Sequence, residues 1–272
     1  MKTELLNIQS GKIKKENNVI FDDLSLELFQ EEIAGIVFDD ILEQKLFINM
    51  MLGDIILYSG RIFINEERKT YEEAARLLKQ QVAVISSKSK FLPSITIEDN
   101  IFLFSDKKIF LDQKEYRERF LKLMNELGIS DDMPHKVRNL SSKEKVIIEL
   151  LKAYEEKKKI VILDEITSLL SEKDLREIFT LINKMKSQMS FLITVGIEDF
   201  IMDWMETIVV VQNGRTTFVS GISQLNCKLS KVLKALIYEN KSEMFNAYGQ
   251  KVINGQNNVL EVRDVSTCYL KN

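Results

Sequence analysis

The sequence predicts an α/β fold with an antiparallel β portion and an inserted helical subdomain. Three observations predict it. Short alternating strands fill the first 85 residues, a helical stretch follows, and the later part alternates amphipathic helices with strands that are apolar on both faces. Strands without polar alternation, such as Ile160-Val161-Ile162-Leu163, belong in a parallel sheet covered on both sides.

The elements follow in order. Leu5–Ile8 and Val19–Leu28 are strands, the second with Leu24, Leu26 and Leu28 alternating onto one face. Ile33–Val37 is an uninterrupted apolar strand, Leu46–Leu52 a helix, and Gly60–Ile64 and Val82–Ile85 further strands. Asp112 can cap a helix whose Tyr116, Phe120, Leu123 and Leu127 recur at helical spacing, with Gly128 just past its end. Helix Lys143–Tyr154, strand Ile160–Leu163, helix Glu172–Met185, strand Phe191–Val195 and a hairpin at Gln212-Asn213-Gly214-Arg215 complete this part. Beyond Gly221 a helical tail and polar linker occupy 222–258. Val259–Ser266 then reads as a strand similar to the Leu5–Gln9 opening. A repeat of roughly 250 residues implies tandem domains, with 259–272 the first strand of a second, truncated one; a C-terminal edge strand is the alternative.

Composition narrows the function. With 272 residues, 45% of them hydrophobic and 29% charged, the chain can bury a full core, and no run reaches the roughly 20 apolar residues of a membrane span. The start lacks the apolar stretch of a secretory signal. The two cysteines, Cys227 and Cys268, have no metal-ligand spacing and read as reduced thiols. A net charge of −3 argues against a nucleic-acid surface, and Lys12–Lys15 and Lys157–Lys159 read as solvated patches. The single histidine, His135, excludes a Ser-His-Asp mechanism and follows Pro134 in a polar loop.

The motifs carry more. Glu31–Leu46 is a strand, a small turn and a helix, the frame of a phosphate-binding loop. Ile160–Leu163 ends in Asp164-Glu165 and continues Ile166-Thr167-Ser168-Leu169-Leu170-Ser171. An Asp at a strand end can hold Mg²⁺, and the following Glu can polarise a water. This segment resembles the Walker B strand and D-loop of ABC-type ATPases. Asn139-Leu140-Ser141-Ser142-Lys143 lies where that family has its signature, and Phe91–Ile101 resembles the segment after the Q-loop. Thr207–Arg215 is similar to the late strand pair. The resemblance covers essentially the whole chain. It implies a P-loop NTPase-like ABC nucleotide-binding domain over 1–221 with its helical subdomain at about 88–150. Within the family it is similar to the N-terminal half of the tandem sugar-importer subunits of ribose, galactose or xylose type.

The departures are as specific as the resemblance. Aligned without gaps, the family's Gly-x-x-Gly-x-Gly-Lys-Ser-Thr falls on Phe38–Leu46, and every functional position is replaced. Glycines let backbone N–H groups wrap phosphates. Phe38 and Ile41 remove that freedom, and Asp39, Asp40 and Glu43 would repel a triphosphate. Lys45 comes one position late, turned away by about 100° of helical rotation. The Q-loop Gln falls on Ser87, the switch His on Gly196 and the adenine-stacking aromatic on Lys15.

The resemblance thus implies ATP and Mg²⁺ as cofactors but makes their binding here doubtful. Asp164 stands as a remnant metal ligand and Glu165 as a remnant catalytic carboxylate, either binding Mg²⁺ or water or retained for structure. Ser141 would contact a γ-phosphate in trans, where Lys143 adds charge but also bulk. The expected protein is a cytoplasmic pseudo-ATPase peripheral to the inner face of the cell membrane. It does not hydrolyse ATP alone, partners a second ABC domain and a permease, and binds no nucleic acid. The permease contact is expected around Lys88–Phe104, with Phe91 and Phe102 as contact residues. The alternatives are half of an asymmetric ATPase supplying Ser141, and a non-transport scaffold or sensor.

Overall fold

The computed structural model describes residues 2–15, 18–86, 91–102, 113–130, 137–196 and 200–221. The expectations for Asp112, His135, Ser87, the tail at 222–258 and the strand at 259–272 lie outside them.

Burial of Leu24, Leu26 and Leu28 on one face makes β2 (Asn18–Phe29) a half-buried antiparallel strand, as the alternation predicts. It pairs with β1 (Glu4–Lys15), which pairs in turn with β4 (Ser59–Ile64), and β4 with β5 (Glu67–Lys69). This is the antiparallel portion. β3 (Ile33–Phe38), β6 (Val82–Ile85), β7 (Ile160–Leu163), β8 (Ser190–Thr194) and β9 (Thr207–Gln212) form a parallel set in the order β9-β3-β8-β7-β6. β10 (Arg215–Gly221) returns antiparallel to β9 and touches β2, joining both parts into one ten-stranded sheet. β7 and β8 are buried along their whole length, which explains their lack of polar alternation.

Six α-helices are described. α1 (Ile41–Met51) follows β3, α2 (Tyr71–Gln81) precedes β6, and α6 (Glu172–Met185) lies between β7 and β8. α3 (Ile97–Phe102), α4 (Gln113–Leu127) and α5 (Ser142–Glu155) make the inserted helical portion, with α3 packed on both α4 and α5. Phe102 and Tyr116 meet with ring centroids 5.2 Å apart, and Arg117 pairs with the buried Glu98 at 2.8 Å. The buried Asn100 accepts from Leu92 N at 2.8 Å and donates to the Thr96 carbonyl, fixing the loop that leads into α3. Phe102 is therefore a core residue, fully buried, and not the surface contact expected of it. Phe91 is partly exposed.

Two further corrections concern helices. α1 begins at Ile41, five positions before the expected Leu46, because Asp40 provides an N-cap. α2 was not expected at all. Its signal was present: Thr70 and Glu73 form a capping box, and Ala74 and Leu78 lie one turn apart on the buried face.

Candidate functional site

In a parallel sheet the loops after the strands' carboxyl ends converge, and a site forms where neighbouring strands deliver them together. β3, β8 and β7 are adjacent, so Asp39-Asp40, Val195-Gly196 and Asp164-Glu165 emerge side by side.

After β3 only Asp39 and Asp40 intervene before α1. Positions 41–46, where the aligned phosphate loop would lie, are α-helical. Three amides at this helix start are occupied. The Asp40 carboxylate accepts from Leu42 N and, at 3.4 Å, from Glu43 N, while the Asp40 carbonyl accepts from Gln44 N at 3.1 Å. A helix start capped by its own carboxylate has lost the free amides that make such a terminus an anion site. Phe38 packs on Phe47 with centroids 5.3 Å apart, so the first position of the aligned motif belongs to a hydrophobic contact.

Gln44 occupies the position of the family's lysine and points inward. Its Nε2 donates to Asp164 Oδ1 at 2.8 Å and to Glu165 Oε1 at 3.4 Å. Thr194 Oγ1 donates to the same Asp164 oxygen at 3.1 Å and accepts from Glu165 N at 2.9 Å. Asp164 and Glu165, neighbours at the end of β7, thus share a neutral amide donor. Glu165 takes a left-handed backbone conformation, φ +53°, where the chain turns into the short helical segment Ile166–Ser168. Ser168 Oγ donates to the Glu165 carbonyl at 2.7 Å, closing that turn. Lys45 is exposed, in keeping with its rotation away from the site. Sequence reasoning missed Gln44, although its polar side chain on an otherwise apolar helix face was the available signal.

Glu43 is 7% exposed and takes a hydrogen bond from the Gly214 amide, with Asp39 and Asp40 nearby. Burial, then the Asp39 and Asp40 charges, push its carboxyl pKa up to about 7 against the opposing Gly214 bond.

Replacing Gln44 by Lys puts an ammonium between two carboxylates. Gln44→Lys is expected to raise stability by roughly 0.5–1 kcal/mol, a gain that falls with salt. A urea midpoint below that of the parent at low salt would contradict the geometry described for Gln44.

Ser141 and Lys143 lie apart from these residues in sequence, at the start of α5. Ser141 is the N-cap: its Oγ accepts from Glu144 N at 3.3 Å and donates to the Glu144 carboxylate at 2.7 Å. Lys143 turns toward α6, 2.8 Å from Glu177 and 3.5 Å from Asp174, and the Glu177 hydrogen bond raises its pKa. Among the described residues no group of three or more His, Cys, Asp or Glu is placed to hold a metal ion, and no helix is long and apolar enough to cross a membrane.

The sequence model of the ABC transporter family matches residues 45–168, from α1 to the turn after Glu165. The chain is similar to the galactose/methyl galactoside import ATP-binding protein MglA of Clostridium perfringens, 22% identical over 248 residues, covering 90% of this chain and 47% of that protein. It is similar to the ribose import ATP-binding protein RbsA of Lactococcus lactis subsp. cremoris, 22% identical, covering 100% of this chain and 54% of that protein. The chain therefore spans about half the length of these curated relatives. Among solved structures, cbiO1 of Clostridium perfringens, part of the ABC transporter complex cbiONQ, superimposes with a TM-score of 0.69 at 16% identity, covering 86% of this chain and 99% of that one. The ADP conformation of MJ1267, an ATP-binding cassette of an ABC transporter, gives a TM-score of 0.69 at 18% identity, with 81% and 92% covered. The chain thus has the ABC ATPase fold and is homologous, over nearly its whole length, to the ATP-binding subunits of ABC importers.

Proposed function

We propose that this domain is a catalytically silent member of a sugar-importer ATP-binding subunit, acting as a structural and regulatory partner of a second ABC domain and a membrane permease. The observation that carries the reading is the closed phosphate-loop position: Asp40 caps α1 where amides would be needed, and Gln44 bonds to Asp164 and Glu165 where Mg²⁺ and its phosphates would lie. The residues present do not fit a bound Mg·ATP. Asp39, Asp40 and Glu43 add negative charge against the ligand's own. Sugar import rests on the likeness to MglA, a galactose/methyl galactoside import protein, and to RbsA, a ribose import protein. A peripheral position on the inner face of the membrane follows from the same likeness.

Calorimetry with ATP and Mg²⁺ on the whole chain tests the silent site. The expected result is no binding tighter than about 100 μM, near −5.5 kcal/mol; a tighter constant overturns it.

A second reading has one supporting observation: Ser141 is exposed at the start of a 14-residue helix, whose positive end can serve a phosphate held by another domain. The polypeptide would then be half of an asymmetric ATPase. Turnover by the protein containing both domains, lost on Ser141→Arg, supports this reading. No turnover removes it. The capping box at Ser141 and the pull of Lys143 toward α6 favour the first reading.

A further inference from the structure

Glu43 is a buried carboxyl group between two elements. On one side stands the turn between β9 and β10. The Gly214 N–H bonds to the Glu43 carboxyl, while the Gly214 carbonyl accepts from Asp22 N at 2.9 Å and Asp23 N at 3.2 Å, tying the turn to β2. On the other side stands the first turn of α1, held by the Asp40 cap and by Gln44. The Glu43 Oε2 atom is buried and has no hydrogen-bond partner. A neutral acid tolerates that position far better than a carboxylate, which loses its hydration there.

We propose that Glu43 is a proton-dependent latch: as the neutral acid it holds the first turn of α1 against the β9–β10 turn, and as the carboxylate it withdraws toward water and frays that turn. The charges around it favour this behaviour. From its own segment Asp39 and Asp40 oppose ionisation. From the facing turn and β2, Arg215 is committed to Asp22 and offers no compensation. From the ends of β7 and the turn after it, Asp164 and Glu165 are engaged by Gln44, on the same helical turn. The β9–β10 turn is anchored through backbone bonds of Gly214 to β2, whereas the first turn of α1 is held by the Asp40 and Gln44 side chains, and in the proposed latch α1 is the element that moves.

The test is an NMR titration of the Glu43 side-chain carboxyl in the whole chain, combined with hydrogen exchange at Leu42, Glu43 and Gln44. The expected midpoint is near the value set by burial, about 7. Between about pH 6 and about pH 8, exchange at these amides should rise roughly tenfold beyond that of the β9 amides. In Glu43→Gln the ratio should stay flat. A midpoint near the ordinary carboxyl value, or the same ratio in both proteins, overturns the proposal.

Discussion

Gly214→Ala lowers folding stability by on the order of 3 kcal/mol, read as a fall in the urea midpoint without a change in slope. Two independent costs add. The backbone at Gly214 has φ +72°, a left-handed conformation strained for a residue with a Cβ. That Cβ would also lie 2.0 Å from the Ile20 carbonyl oxygen and 3.1 Å from its carbon. Both obstructing atoms are backbone of a paired strand, so neither can step aside. Gly35 is the control: a Cβ there meets side-chain atoms rather than backbone, the nearest being Met205 Cγ at 3.2 Å, at a residue with no left-handed φ. Gly35→Ala should cost clearly less. A Gly214→Ala midpoint within the error of the parent would refute the geometry of this turn.

Glu43→Gln stabilises the fold above neutral pH by on the order of 2 kcal/mol and has little effect in acid. The folded pKa lies above the ordinary value of 4.5, at about 7. Below the lower value the carboxyl is protonated in both states, and its burial costs nothing extra. As pH rises toward the upper value the unfolded chain ionises first, so the parent loses stability across this window. Above it the loss is constant. Gln carries the same shape without a titratable proton, so its advantage should grow between these limits and then level off. Thermal unfolding across that range measures it, and a pH-independent difference between the two proteins would show that ionisation of Glu43 has no part in it.

The fold was legible wherever burial left a pattern. β6, β7 and α6 were read to their observed ends because each has an apolar run or stripe bounded by a polar turn or cap. Gly128 ends α4 with φ +64°, and Asn213-Gly214 turns the β9–β10 hairpin with both residues at positive φ, as their chemistry predicts. α2 was hidden because few large apolar residues mark it and its buried face rests on Ala74 and Leu78. The position of Asp164 and Glu165 at the carboxyl end of β7 was legible from the apolar run that ends there. The Gln44 contact did not, since it pairs residues 120 positions apart and depends on where α1 begins. That start in turn depends on the Asp40 cap, a local signal that the gapless alignment of 38–46 with a loop does not weigh.

The cap and the Phe38–Phe47 contact also set the terms on which this domain could change again. A glycine at Phe38 would empty part of a packed contact, and glycines at Ile41 and Glu43 would enter the first turn of a helix, at about 1 kcal/mol for each helical position. No single step gains a phosphate site, because the loop works only when its amides, lysine and hydroxyl stand together. Each such substitution would carry a folding defect of its own. Asp40, Phe38 and Phe47 are thus part of what holds the domain folded, and each substitution toward a glycine-rich loop at this position runs uphill in folding stability.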